Sequence, residues 1–407
     1  MKLRDLEVIV TSPPPPGWGG RYWQIVRLTT ACGITGLGEV YASAVGPEAM
    51  GAVISDVFTR HMEGESPENI ELMSRRVQSS GFTQRPDPTV MGAFAGLEMA
   101  CWDILGKARE RPVWALLGGQ MNDRLRAYSY LYPQAQHPLP EFWINADMAA
   151  EAALALVEEG WTAVKFDPAG PYTLRGGHMP AMSDISTSVA FCKAIREAVG
   201  DRADLLFGTH GQFSVPGATR LGRAIAPHDP LWFEEPIPPD DPAGMARVAR
   251  GQPVPIATGE RLCTAKEFLP LLAHGAVGIV QPALGRLGGI WEGKRLAILA
   301  QAHSGQIAPH LYAGPVEWAA NVHLAVSCPN YLMVEAIETE FHEALIRGRP
   351  RVEGGFVEAP RGPGLGIELN DDIAAAHPLN TDRLHLEMQE APCDWQNGNA
   401  FGGGSVD

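Results

Sequence analysis

The chain has 407 residues, 45% of them hydrophobic and 19% charged, which is typical of a globular protein of two or three domains. Its formal net charge of -15 argues against nucleic acid and anionic membranes as partners, because binding to phosphate depends on clusters of Lys and Arg. The sequence contains neither an apolar stretch long enough for a membrane helix nor a signal peptide at its start, so we expect a cytoplasmic protein.

The first part of the chain, to about Gly119, mixes strand and helix patterns. Residues 22–41 alternate and turn like a β-hairpin, and residues 69–79 and 91–110 have helical spacing. The segment before the hairpin, TSPPPPGWGGRYW, is too rich in Pro and Gly for either element. It is either a plain surface turn or a lid over an active site, a frequent role of long loops.

From about Arg124 short apolar runs alternate with six amphipathic segments that are predicted as helices. Eight runs are predicted as strands: LRAYSYLY, AVKFD, DLLFGTH, LWFEEP, IATGE, GIVQP, GQIAPH and YLMVEA. Eight strands with helical connections over about 210 residues favour a closed (β/α) barrel over an open doubly wound sheet. The six cysteines form no C-x-x-C pair, which predicts reduced, buried thiols and excludes a zinc ribbon.

Polar side chains stand at the ends of the predicted strands. They are Lys165, Asp167, His210, Glu234, Glu260, Arg286, His310 and Glu335. In a (β/α) barrel the carboxyl ends of the strands meet at one mouth, where the chemistry takes place. A single charged strand end is usually only solvated, but carboxylates buried together are costly unless a cation joins them. The pattern therefore predicts a divalent metal site.

The chemistry of such a site can be narrowed from the residue types. Glu234 and Glu260 end adjacent strands, and their hard oxygen ligands favour Mg2+ over zinc. Glu235 should point the other way and form a structural salt bridge, while His310 could be a base near neutral pH. This set suits abstraction of the proton α to a carboxylate, followed by racemisation, elimination of a β-hydroxyl or ring opening.

Five segments resemble the enolase superfamily in its mandelate racemase-like branch. GLEMACWDILGKARERPVWALLGG resembles the helix and turn that join that family's capping domain to its barrel. FEEP, ATGERL, QPALGRLGGIWE and APHLYAGPVEWAAN resemble the motifs at the ends of strands four to seven, in the family's order and spacing. The resemblance covers nearly the whole chain and is closest to acid-sugar dehydratases of the galactonate and mannonate type.

The resemblance implies a fold and a set of roles. The fold is α/β, a (β/α) TIM-like barrel at residues 123–338 with an α+β capping domain formed by residues 1–122 and 339–407. The implied roles are Mg2+ binding by Glu234 and Glu260, acid or base chemistry by His310, and a hydrogen bond from Glu335 to substrate. The Pro/Gly loop would close the site and bind the distal end of the substrate through Trp18, Arg21 and Trp23. Further candidate substrate contacts are Arg286 and Asp167, and a homo-oligomer is expected.

The end of strand three departs from the family pattern. In the dehydratases that this chain resembles, strand three ends in the motif D-x-H-G-R. This chain has GTHGQ instead, so Gly208 stands in place of the metal-binding Asp. His210 keeps the position of the acid that expels the β-hydroxyl. Three outcomes are open: His210 is the third ligand, water fills the gap, or the metal binds weakly. We favour His210 as a ligand, because Gly208 leaves room for its imidazole.

Two further strand ends depart as well. Ala283 replaces the Asp that orients the histidine of racemases, which weakens His310 as a base. Strand two keeps only Lys165 of the racemases' Lys-x-Lys and is followed by a long insertion. Mannonate dehydratases take a tyrosine base from such a loop, so Tyr172 is a candidate base with His178 behind it. The alternative is that both only pack within the loop.

These assignments predict a Mg2+-dependent dehydratase that converts a sugar acid, an aldonate or aldarate, to a 2-keto-3-deoxy acid. The candidate metal ligands are Glu234, Glu260 and His210. The candidate bases are Tyr172, Lys165 and His310, and the candidate acids are His310 and His210. Two alternatives stay open: a cycloisomerase or epimerase on the same scaffold, and a non-catalytic binding or regulatory relative that has lost the missing ligand.

Overall fold

The computed structural model describes residues 1–41, 44–138, 141–169, 174 and 176–387. An antiparallel sheet of three strands begins the chain, in the order β1 (Leu3–Thr11), β2 (Trp23–Thr30) and β3 (Thr35–Val40). Helices α1 (Pro47–His61) and α3 (Pro88–Ala108) pack against the sheet, and α2 (Ile70–Gln78) packs on these two helices. The hairpin and the last two helices lie where the sequence predicts them, whereas β1 and α1 are additional elements.

The closest approach between this sheet and α3 lies at two glycines, and it gives a test of the packing. A Cβ on Gly38 would lie 1.8 Å from the carbonyl oxygen of Gly96, far inside contact distance. Because that neighbour is backbone, we expect Gly38→Ala to lower the free energy of unfolding by about 3 kcal/mol.

The matched control is Gly278→Ala, where a Cβ would meet nothing within 4 Å and the backbone is not in the left-handed region. This change should alter the free energy of unfolding by less than about 0.5 kcal/mol. Urea denaturation measures both variants. Equal transition midpoints for the two would contradict the packing described here.

The next strands are parallel and form the barrel. They are β4 (Arg124–Tyr130), β5 (Ala163–Phe166), β6 (Asp204–Phe207), β7 (Trp232–Glu234), β8 (Ile256–Thr258), β9 (Ile279–Val280), β10 (Gln306–Ile307) and β11 (Val334–Ala336). Each pairs with the next from β4 to β10, and β11 pairs with β4. Leu332 N donates to Ile307 O at 2.9 Å, so single hydrogen bonds rather than a regular ladder complete the ring. All eight strands lie where the sequence predicts them.

Helices alternate with these strands on the outside of the barrel. They are α4 (Val113–Leu116), α5 (Ala146–Glu158), α6 (Met182–Val199), α7 (Val215–Ile225), α8 (Pro242–Gly251), α9 (Ala265–Ala273), α10 (Leu284–Leu287), α11 (Ile290–Ala302) and α12 (Pro315–Val326). Short 3-10 helices span Ser80–Phe82, Glu141–Ile144 and Ala226–His228. The six predicted helices are confirmed, whereas α4, α10 and α12 are additional.

The C-terminal segment runs from the barrel back to the first sheet. Its elements are α13 (Glu340–Leu345), β12 (Ile346–Arg347), β13 (Val352–Glu353), β14 (Phe356–Glu358), β15 (Glu368–Leu369) and α14 (Asp371–Ala376). β14 pairs antiparallel with β4. Ser12 N donates to His377 O at 2.9 Å and Leu365 N to Asp103 Oδ1 at 2.8 Å, which joins the segment to the cap. The boundaries at residues 122 and 338 stay predictions.

Two buried glutamates of the cap hold the barrel in place. Glu39 accepts hydrogen bonds from the N–H groups of Val316 and Glu317 in the first turn of α12. Glu98 accepts from Ile290 and Trp291 in the first turn of α11. Burial raises the pKa of Glu39 to about 7 and that of Glu98 to about 8. The amino ends of two barrel helices thus supply the donors that offset this burial.

Two predictions from composition can be compared with the structure. Four of the described cysteines are buried and free: Cys101, Cys192, Cys263 and Cys328. Cys32 is free but exposed, which corrects the expectation that every thiol is buried, and Cys393 lies outside the described residues. Within the described ranges, no helix is long and apolar enough to cross a membrane.

Candidate active site

The strand-end residues form a connected cluster at the carboxyl end of the barrel. Lys165 Nζ lies 2.6 Å from Glu234 Oε1 and 3.3 Å from Glu335 Oε1. His310 Nε2 lies 3.2 Å from Glu260 Oε2 and 3.9 Å from Glu335 Oε2. Glu335 therefore links the lysine to the histidine, and residues from strands β5, β7, β8, β10 and β11 meet at one place.

The remaining strand-end residues lie at the border of this cluster. Asp167 Oδ2 lies 2.9 Å from His210 Nδ1, and Arg286 Nη1 donates to the backbone oxygen of Glu260 at 3.2 Å. His210 and Arg286 are partly exposed, whereas the other strand-end residues are buried. The partly exposed pair thus faces outward from a buried set of charges.

Both carboxylate oxygens of Glu234 have partners in the cluster. Its Oε2 accepts from Trp232 Nε1 at 3.0 Å and from Gln281 Nε2 at 2.8 Å, while Lys165 contacts Oε1. Gln281 is not among the predicted site residues, although it directly follows β9 and is a polar residue at a strand end like those that were predicted. These donors fix the side chain of Glu234 in one orientation.

Glu235 points away from the cluster, as predicted from its neighbouring position in the strand. Its Oε2 lies 3.0 Å from Arg261 Nε, so it forms the expected salt bridge. Burial raises the pKa of Glu235 to about 7, although Arg261 opposes the shift. Arg261 also donates to the backbone oxygen of His210 and so joins the ends of β6 and β8.

The surroundings of the two histidines shift their pKa values in opposite directions. Burial lowers the pKa of His310 to about 4 despite the nearby Glu260, so His310 is neutral at neutral pH. Burial also acts to lower the pKa of His210, but its contact with Asp167 outweighs burial and raises the pKa. A neutral and a proton-holding histidine at one mouth are the usual requirement for paired base and acid chemistry.

The charges of the cluster are partly compensated from within. Burial lowers the pKa of Lys165, yet Glu234 and Glu335 outweigh it and raise the pKa well above its usual value. Lys165 is therefore a buried cation. Lys165 and His210 therefore offset part of the charge of the carboxylates, and the divalent metal site stays a prediction.

The carboxylates of the cluster are the type of donor that a hard cation prefers, but they are few in number. Glu234 and Glu260 offer buried carboxylates from adjacent strands, and Mg2+ commonly keeps water ligands and binds through one or two carboxylates. In the part of the chain that the structure describes, no group of three or more His, Cys, Asp or Glu side chains is arranged to hold a metal ion. His210 as third ligand stays a prediction, and its contact with Asp167 gives that role no support.

The loop residues predicted to close the site lie between the barrel mouth and the C-terminal segment. Arg21 Nη1 donates to Leu384 O at 2.7 Å, and Trp18 packs on Tyr132 with ring centroids 4.3 Å apart. Trp23 is 1% exposed and donates from Nε1 to Gly19 O at 2.9 Å. Substrate contacts by these side chains stay predictions.

The insertion after β5 is described only in part. Tyr172 lies outside the described residues, so its role as a base stays a prediction. His178 is described, and its ring packs on Phe213 with centroids 5.2 Å apart. This contact agrees with packing inside an ordered loop, the alternative considered for His178.

An aromatic layer that was not predicted from the sequence lies beside His310. The ring of Tyr41 lies 5.7 Å from that of His310, and the ring of His385 lies 5.5 Å from that of Tyr41. His385 comes from the C-terminal segment, and its Nε2 lies 3.0 Å from Gly19 O. A Cβ on Gly20, whose φ is +111°, would overlap the His385 ring at 2.0 Å, so only glycine fits there.

Comparisons with known proteins agree with this architecture. Residues 20–118 match the family described as Mandelate racemase / muconate lactonizing enzyme, N-terminal domain, and residues 147–373 match the family described as Enolase C-terminal domain-like. The D-xylonate dehydratase of Haloferax volcanii is 31% identical over 95% of this chain and 92% of its own length. The D-galactonate dehydratase of Ralstonia nicotianae is 30% identical over 92% of this chain and 93% of its own length.

Solved structures extend the agreement to higher identity. The mandelate racemase/muconate lactonizing enzyme-like protein from Roseovarius sp. TM1035 is 68% identical, with a TM-score of 0.96 over 97% of this chain and 100% of that chain. The mandelate racemase/muconate lactonizing enzyme from Jannaschia sp. CCS1 is 70% identical, with a TM-score of 0.94 over 95% of this chain and 100% of that one. A capping domain over a barrel, an acid-rich mouth and these matches together show that the chain belongs to the enolase superfamily, in its mandelate racemase/muconate lactonizing enzyme branch.

Proposed function

We propose that the protein is a Mg2+-dependent hydro-lyase that dehydrates a sugar acid, an aldonate or aldarate, to a 2-keto-3-deoxy acid. The observation that carries the proposal is the set of side chains at one barrel mouth. Two buried carboxylates and a buried lysine lie there with two histidines whose pKa values are shifted in opposite directions. The relatives named D-xylonate dehydratase and D-galactonate dehydratase support a sugar acid as substrate.

Substrate binding is assigned to the buried charges. Glu234 and Glu260 would hold the cation, which when bound supplies a Lewis acid for the charge that develops on the substrate carboxylate. The Lys165 ammonium, fixed by Glu234 and Glu335, would attract the same carboxylate in a site shielded from water. Because Glu234 and Glu335 both contact its ammonium, we assign Lys165 to binding rather than to proton abstraction.

Proton abstraction is assigned to His310 and proton donation to His210. Neutral His310 would take the proton from the α carbon, and the imidazolium that forms would be stabilised by Glu260 and Glu335. The electron pair of the broken C–H bond forms the new double bond as the β C–O bond breaks. His210 would give its proton to the departing hydroxyl, which leaves as water, and the enol then becomes the keto acid.

A library screen tests the proposal. The protein is incubated with Mg2+ and a panel of aldonates and aldarates, and semicarbazide detects the keto acid while mass spectrometry follows the loss of water. One or more acids that lose water and react with semicarbazide are the expected result. Products of unchanged mass would instead assign a cycloisomerase or epimerase. A full panel without turnover would assign a non-catalytic relative.

Two further properties stay proposals from the sequence. A cytoplasmic location and a homo-oligomeric state are both expected for this chain. Light scattering coupled to size-exclusion chromatography measures the second, and a mass equal to one 43.8 kDa chain would contradict it.

A further inference from the structure

The ends of β5 and β6 hold a histidine–aspartate pair that the sequence comparison with the family does not predict. Asp167 Oδ2 lies 2.9 Å from His210 Nδ1, and the side chains are 0% and 31% exposed, respectively. The carboxylate is therefore fully enclosed while the imidazole reaches the mouth. At this distance the carboxylate forms an ion pair with the protonated ring, and such a partner restricts the orientation of a histidine.

Gly208 and this pair depend on each other sterically. A Cβ on Gly208 would lie 3.3 Å from Phe166 O, 3.4 Å from Asp167 Cβ and 3.6 Å from Asp167 Oδ2. An aspartate at position 208 would thus place a second carboxylate against Asp167, which is unfavourable for two buried charges of the same sign. Gly208 therefore keeps the space beside Asp167 free of a second side chain.

The other histidine of the mouth has lost the corresponding partner. Ala283 precedes the short helix α10, where the sequence analysis expects an orienting Asp, and His310 Nε2 contacts Glu260 and Glu335 instead. A carboxylate therefore contacts Nδ1 in the histidine after β6, whereas the histidine after β10 contacts carboxylates through Nε2.

We propose that Asp167 is a positioning residue that holds His210 Nδ1 and thereby aims its Nε2–H at the departing β-hydroxyl. This inference rests on the proposed dehydratase function and assigns Asp167 to His210 rather than to direct substrate binding. In the step concerned, the β C–O bond breaks with its electron pair on oxygen, and the Nε2 proton completes the water molecule. The Asp167 carboxylate, 2.9 Å from Nδ1, stabilises the protonated ring before the transfer.

The test compares a poor leaving group with a good one. Its substrates are the sugar acid turned over in the screen above and the analogue of that acid with fluorine in place of the departing hydroxyl. Fluoride leaves without needing the same protonation, so its elimination should bypass the acid. For Asp167→Asn we expect kcat for the hydroxyl substrate to fall about 100-fold with little change in KM, since general acids contribute at least this much. The fluoro analogue should lose less than about threefold.

Two further variants make the result decisive. His210→Asn should give the same pattern, and it covers the case in which Asp167→Asn fails to fold. Asp204→Asn removes an aspartate at the opposite end of β6, where Asp204 pairs with Arg126 at 2.7 Å, and should leave the ratio of the two rates unchanged.

Other outcomes overturn the inference. Equal losses on both substrates, or no loss on either, would show that Asp167 has only a structural role. If the wild-type protein dehydrated an acid of the panel and Asp167→Asn did so with the same kcat, the inference alone would fail. If the wild-type protein eliminated neither water nor fluoride, the proposed function would fail and the inference with it.

Discussion

Replacing Glu260 by glutamine should lower kcat for elimination at least about a thousandfold while the fold is preserved. The substitution removes one of the two proposed metal-binding carboxylates and keeps the side-chain volume. It also removes the charged partner 3.2 Å from His310 Nε2, which would otherwise stabilise that ring once it is protonated. Steady-state kinetics measure the loss, and near-ultraviolet circular dichroism checks the fold.

The control for this variant is Glu197→Gln. It removes the same charge from the exposed surface of α6, where the side chain is 67% exposed, and should leave kcat within about twofold. Retention of more than about a tenth of the wild-type kcat in Glu260→Gln would contradict the assignment of Glu260.

Replacing Lys165 by methionine should destabilise the protein by about 3–5 kcal/mol at neutral pH as well as abolish activity. The change leaves Glu234 and Glu335 buried without the cation that contacts both of them. Lys193→Met, which removes a lysine 61% exposed on α6, is the control and should cost less than about 0.5 kcal/mol.

The deficit of Lys165→Met should shrink as the pH falls. Burial raises the pKa values of Glu234 and Glu335 above their ordinary value of 4.5. Groups with a raised folded-state pKa give their full stability below the unfolded pKa, and they lose it as the pH rises through the folded pKa. Urea denaturation at pH 5 and pH 8 measures this, and a deficit that did not depend on pH would contradict the role of Lys165 as counter-ion.

The sequence predicted most of the barrel because its strands are short apolar runs that end in polar residues. The parallel topology then brings Lys165, Glu234, Glu260 and Glu335 to one mouth without knowledge of any contact. Helix α12 was missed for a physical reason, since all twelve of its residues are buried, including the polar Glu317 and Asn321, and no solvent-exposed face reveals its helical periodicity.

Other features depend on tertiary packing and leave no local signal. His385 reaches the mouth from a polar C-terminal segment, and its place is visible only through its contacts with Tyr41 and Gly19. The pairing of Asp167 with His210 depends on the space above Gly208, which the sequence analysis interpreted as room for a metal ligand. Side-chain orientation decides whether His210 contacts Asp167 or a metal ion, and the spacing of residues in the sequence does not reveal it.

The account depends on the affinity of the barrel mouth for a dication, and calorimetric titration of Mg2+ into metal-free protein measures this directly. We expect a saturable heat with one site per chain in the wild-type protein, and no such heat in the double variant Glu234→Gln/Glu260→Gln. A wild-type protein that gives no heat, or a double variant that gives the same heat as the wild type, would contradict the account.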